Sequence, residues 1–94
     1  MRRPRVPWMT QGDDRILEFL LNEGGQELYA TPRVISYNIN YARNYVQERI
    51  KILRDADLVA YEDEKKAMYR ITDRGRAYLS GELDVDDFDI DVGS

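Results

Sequence analysis

The chain has 94 residues, the size of one small domain built around one modest hydrophobic core. An apolar fraction of 43% suits a folded chain rather than a disordered one, and the lack of cysteine excludes disulfides and thiolate metal sites. The net charge of −4 averages unlike parts: residues 82–94 carry six acidic groups and no basic one, whereas residues 29–54 hold Arg33, Arg43, Arg49, Lys51 and Arg54 against Glu48 alone. Local field matters more than net charge for steering a polyanion. The apolar runs are too short for a membrane span, and no apolar stretch follows the N-terminal arginines as in a signal peptide, so a soluble cytoplasmic protein is expected.

Residues 1–9 read as a short basic arm with Arg2, Arg3 and Arg5, stiffened by Pro4 and Pro7. Thr10 and Asp13 form a capping pair for a first helix over 10–23, which carries Ile16, Leu17, Phe19, Leu20 and Leu21 and is expected to stop at Gly24-Gly25. Leu28-Tyr29-Ala30 is too short for a helix and reads as an edge strand. Thr31-Pro32 starts a second helix, with the threonine as N-cap and the proline at a position where its missing N–H costs nothing. That helix is expected to end near Tyr37, with Asn38-Ile39-Asn40 as a turn and Asn40 capping a third helix over 41–55.

The third helix has the clearest periodicity: Ala42, Val46, Ile50 and Leu53 make one narrow apolar stripe. Leu58–Tyr61 and Ala67–Ile71 are strand-like runs around the charged tip Glu62–Lys66. Thr72-Asp73 opens a last short helix that ends at Gly81. Most of the tyrosines Tyr37, Tyr41, Tyr45, Tyr61, Tyr69 and Tyr78 are expected at half-buried core edges with wet hydroxyls. The domain thus spans 10–82, followed by an acidic tail over 83–94. For that tail three roles compete: solubility in salt, packing of its apolar residues, or competition with a polyanion for the basic segment.

The element order helix-strand-helix-helix-strand-strand-helix is the α+β winged helix-turn-helix arrangement. The stretch from Asn40 to Leu79 has a polar helix start, an aliphatic stripe, Leu58-Val59, a hairpin, and Ile71-Thr72-Asp73-Arg74-Gly75-Arg76-Ala77-Tyr78-Leu79. It resembles small prokaryotic winged-helix regulators, in particular the haloarchaeal ones described as phage-repressor-like or MarR-like. The resemblance covers roughly residues 12–82. An excess of Asp over Glu and of Arg over Lys agrees with a salt-adapted source.

The resemblance implies binding of double-stranded DNA by a transcription regulator that acts as a repressor, with the third helix in the major groove. With Val46 at the centre of the buried stripe, Asn44, Gln47, Glu48 and Lys51 project away from it, and Tyr41 and Arg43 lie at the shoulders. Arg43 suits guanine O6 and N7, and Asn44 or Gln47 suits adenine N6 and N7. Lys51 suits phosphate, and Tyr41 a phosphate or base. Glu48 either accepts from a cytosine amine or braces Lys51 or Arg49. Thr31 and Arg33 at the second helix start, Lys65 and Lys66 at the hairpin tip, and Arg70 on the returning strand complete the expected DNA contacts. The basic arm either enters the minor groove or plays no part in binding.

A solvated helix face without DNA contact is the competing account of the third helix. A winged-helix protein-interaction module is the rival function, and RNA binding a weaker third. A homodimer on two half-sites is compatible with the size of the domain, with Val6, Trp8, Leu83 and Phe88 as its expected contact. No enzyme is expected: with no histidine and no cysteine, Ser-His and Cys-His pairs and zinc sites cannot form. No phosphate-binding glycine loop is present, and Asp87-x-Asp89-x-Asp91 lacks the glycine and closing glutamate of a calcium loop, so no cofactor is expected.

Overall fold

The computed structural model describes residues 8–82, in the order α1 (Gln11–Leu21), α2 (Pro32–Ile39), α3 (Arg43–Asp55), β1 (Val59–Asp63), β2 (Met68–Ile71) and α4 (Asp73–Ser80). The expected strand at Leu28–Ala30 contracts to a single antiparallel bridge between Ala30 and Tyr69, closed by hydrogen bonds of 3.1 and 2.8 Å. The arm over residues 1–7 and the tail over residues 83–94 lie outside the described residues.

Local chemistry sets most helix ends. Thr10 accepts from the Asp13 N–H, and the Asp13 carboxylate accepts from the Thr10 N–H, a complete capping box. Contrary to expectation, α1 stops before the glycine pair, at Asn22, which takes the left-handed conformation with φ 51°. Asparagine tolerates that region, and its side-chain amide is tied to the Gln26 carbonyl at 2.8 Å. Thr31 caps α2 with Pro32 at its first position, as expected. α2 runs on to Ile39 because Ile35 and Ile39, one turn apart, are both buried. Asn40 therefore does not cap α3. It closes α2 in the left-handed region at φ 65° and donates its N–H to the Ser36 carbonyl. Ala42 stands at the N-cap of α3 without a side-chain hydrogen bond and is exposed rather than part of the buried stripe, since it precedes the helix.

The core gathers Ile16, Leu17 and Leu20 of α1, Ile35 and Ile39 of α2, Val46, Ile50 and Leu53 of α3, Val59, Tyr69 and Ile71 of the hairpin, and Tyr78 of α4. The antiparallel hairpin pairs Val59 with Ile71 and Tyr61 with Tyr69, then shifts register so that Asp63 faces Met68 and Glu62 is the extra residue of a bulge. Gly75 explains the Ile-Thr-x-x-Gly spacing. A Cβ there would lie 2.4 Å from the Leu58 carbonyl oxygen and 2.7 Å from Ile71, so only glycine lets α4 approach the start of the hairpin this closely. Thr72 holds the same corner, accepting from the Gly75 N–H at 3.0 Å and donating to the Asp57 carbonyl at 2.7 Å.

Two buried polar links cross the core. Asp13, fully buried, receives Arg49 of α3 in a two-pronged ion pair at 2.9 and 2.6 Å. Asp14 receives the Tyr78 hydroxyl of α4 at 2.8 Å. Tyr78 and Tyr69 are therefore fully buried rather than half-buried, and Tyr37, at 89% exposure, is not a core-edge residue at all. Trp8 is partly buried, packed against the core.

Candidate nucleic-acid interface

α2, the turn Asn40–Ala42 and α3 form the helix-turn-helix. The buried stripe of α3, Val46, Ile50 and Leu53, turns Arg43, Asn44, Gln47, Glu48 and Lys51 outward, and all five are exposed. Of the five bases between Tyr29 and Arg54, two have structural tasks. Arg49 is committed to Asp13, whose hydrogen bond and charge hold the guanidinium pKa above its ordinary value despite partial burial. Arg54 donates to the Tyr61 hydroxyl at 2.9 Å and lies 5.3 Å from the centre of that ring. The remaining Arg33, Arg43 and Lys51 form no ion pair with any other described residue, and the same holds for Lys65 and Lys66 at the hairpin tip. Among the described residues, these five cations have no ion-pair partner and stand open to an external anion.

The polar side chains differ in readiness. The Gln47 side chain makes no hydrogen bond to a described residue, so both ends of its amide are free. Asn44 turns its carbonyl oxygen to the Tyr45 N–H at 3.1 Å and must release it to pair with both adenine positions. Thr31 accepts from the Val34 N–H at 3.3 Å, which leaves its hydroxyl proton for a phosphate. Arg70 lies 3.5 Å from Glu62, the bulge residue. Glu48 forms no ion pair with Lys51 or Arg49 but adds to the field that favours the Arg49 charge.

The Tyr41 ring stacks on Tyr45 at 5.4 Å between centroids. Tyr45 in turn lies across the start of α1. Its hydroxyl is 2.8 Å from the Thr10 hydroxyl, and a Cβ on Gly12 would lie 2.5 Å from the same oxygen. The hairpin is tied to the other flank of α3 through Arg54, Tyr61 and Tyr69, the two tyrosine rings stacking at 4.7 Å. Burial, reinforced by the neighbouring Tyr61, pushes the Tyr69 hydroxyl up to about 12.

The sequence reading placed Tyr37 at a core edge and missed its full exposure. Tyr37 lies one turn after Arg33 on the outer face of α2, beside the half-exposed Val34. The signal was available, because with Ile35 and Ile39 inward Tyr37 falls on the opposite side of the helix. Another face, between the end of α1 and α4, has a cleft lined by Glu23, Glu27, Asp73 and Glu82, with Arg76 paired to Glu27 and Asp73. That face repels a polyanion. No described helix is long and apolar enough to cross a membrane.

Comparison with known proteins agrees with this architecture. The chain is 37% identical over 86 residues to the repressor protein of Halobacterium phage phiH, covering 90% of this chain and 94% of that protein. The crystal structure of the PhiH1 repressor-like protein from Haloarcula marismortui superposes with a TM-score of 0.73 at 36% identity, covering 90% of this chain and 92% of that one. The winged helix-turn-helix phage repressor family matches residues 1–91, and the chain belongs to that family.

Proposed function

We propose that this chain is a sequence-specific repressor of transcription that reads the major groove of double-stranded DNA with α3. The observation that carries the reading is the outward ridge of α3. Arg43, Gln47 and Lys51 are exposed on the second helix of a helix-turn-helix and uncommitted to other described residues. Arg43 and Gln47 are assigned to base edges, with Asn44 joining them once it releases the Tyr45 N–H. Lys51, Arg33, Thr31, Lys65 and Lys66 are assigned to phosphates, Arg70 to a phosphate in exchange for Glu62, and Tyr41 to the shoulder of the helix. The repressor name of the phage relative and membership in a repressor family support this assignment. They also support a non-enzymatic regulator that works where the DNA is, in the cytoplasm of a salt-adapted host.

Selection from random duplexes followed by affinity measurement tests the assignment. Arg43→Ala is expected to weaken the selected site by about 1–3 kcal/mol more than random DNA, while Lys51→Ala weakens both alike. If neither substitution alters binding to any duplex, α3 does not read DNA.

The exposed Val34 and Tyr37 on α2 favour a second reading, a winged-helix module that docks on protein. It predicts that Tyr37→Ser abolishes partner binding and that no duplex is selected.

A further inference from the structure

The fold makes almost no use of Tyr37. Its side chain is 89% exposed on α2 and has no hydrogen-bond, ion-pair or ring partner among the described residues. At about 100° per residue, Arg33 and Tyr37 each lie about 160° from the buried Ile35, one on either side, so the two outward side chains are only about 40° apart. Helical side chains lean toward the N-terminus, which brings the Tyr37 ring over the turn that carries Arg33. From Leu28 to Gln47 the chain holds Arg33 and Arg43 and no acidic residue. A cation, a free phenol hydroxyl and a stretch without carboxylates together match a partner that carries phosphate.

Chain connectivity places Tyr37 beside the start of α3. It stands in the last turn of α2, three residues before the Asn40 cap, and Arg43 opens α3 three residues after that cap. One helical turn and three further residues keep the Tyr37 and Arg43 Cα atoms within about 16 Å. A helix with its side chains is about 10–12 Å across and fills a major groove about 12 Å wide. With α3 inside the groove, α2 is left at the rim, where the duplex presents its backbone.

We propose that Tyr37 is a further DNA-contacting residue, whose hydroxyl donates to a backbone phosphate at the rim of the groove that α3 enters, next to the phosphate held by Arg33. This rests on the reading that α3 faces the duplex. The contact is neutral, so it adds affinity without releasing a counterion, and it carries no base discrimination of its own. Its effect is to set the register in which Arg43 and Gln47 meet the base edges.

Single methylphosphonates, which replace one charged backbone oxygen by a methyl group, are walked along a selected duplex and measured against wild type, Tyr37→Phe and Arg33→Ala. Tyr37→Phe removes the hydroxyl alone, and its melting curve is expected to match wild type because the fold does not use that group. On the unmodified duplex it is expected to bind about tenfold more weakly, the worth of one hydrogen bond to a charged acceptor. Its slope of log affinity against log salt stays that of wild type, whereas Arg33→Ala lowers the slope by about 1. At one backbone position the methylphosphonate is expected to cost wild type about tenfold more affinity than it costs Tyr37→Phe. The position that couples to Arg33→Ala should be its neighbour.

Wild-type affinity for Tyr37→Phe, or losses that add at every backbone position, overturns the Tyr37 contact. A protein-docking role for Tyr37 gives this same result. If Arg43→Ala still relaxes the base preference in that case, α3 keeps its place in the groove. Failure to select any duplex overturns the α3 reading and the Tyr37 contact with it.

Discussion

Removing Arg49 is the most severe single test of how α3 is held. In the native fold the guanidinium gives two hydrogen bonds to Asp13 and one to the Trp8 carbonyl, while Asp13 is fully buried. Arg49→Ala leaves that carboxylate inside the domain, with the Thr10 N–H at 3.0 Å as its remaining hydrogen-bond donor. Breaking a buried pair from one side costs about 3–5 kcal/mol, because an uncompensated charge stays in a poorly solvated site. A domain of this size is stable by only about 4–11 kcal/mol, so the variant stands near its folding threshold. At about 4–8 °C per kcal/mol, its melting temperature falls by at least about 12 °C.

Circular dichroism melts of wild type, Arg49→Ala, Asp13→Ala and the double variant form a complete cycle. The double variant, which retains neither charge of the pair, is expected to lose at least about 2 kcal/mol less than the sum of the single losses. Because the pair is shielded from solvent, the coupling should survive in molar salt, where surface pairs are screened. Additive losses, or a cost below about 1 kcal/mol for Arg49→Ala, would refute the claim that this pair locks α3 to α1.

Two further outcomes follow from the packing. Gly75→Ala is expected to destabilise the domain by about 1–3 kcal/mol in a urea titration, although alanine favours helix by about 1 kcal/mol, because its methyl group meets the Leu58 carbonyl; a stabilised variant would contradict the close approach of α4. Tyr69 has its hydroxyl pKa raised from 10.0 to about 12 in the fold, so its contribution is complete below pH 10 and is lost as pH rises through 12. Alkaline denaturation should therefore begin in that window and flatten in Tyr69→Phe, whereas an identical alkaline profile for the two proteins would remove Tyr69 from the account.

The elements were readable because their signals are local. Thr10 with Asp13, Thr31 with Pro32, and Thr72 three residues before Gly75 each satisfy backbone groups within one turn, so sequence spacing is enough to locate a helix start. The stripe Val46, Ile50, Leu53 likewise fixes which side of α3 turns outward, because helical geometry is the same in any fold. The errors arose where two local solutions competed. Asn22 and Gly24-Gly25 could each end α1, and Asn40 could close α2 or open α3. Burial of Ile39 decided the second case by carrying α2 one half-turn further.

What the residues alone could not decide is which charges are spent inside the fold. Arg49 and Arg43 look equivalent in a basic helix, yet Arg49 meets an aspartate 36 positions earlier in the chain and Arg43 meets none among the described residues. Tyr78 and Tyr37 are equally aromatic, yet one hydroxyl is buried on Asp14, 64 positions away, and the other ring stands in solvent. A side chain carries its capacity for a hydrogen bond or ion pair in its own chemistry. The partner is supplied only when packing brings distant helices together, and here the approach of α1 to α3 and α4 decided which groups hold the fold and which remain on the surface.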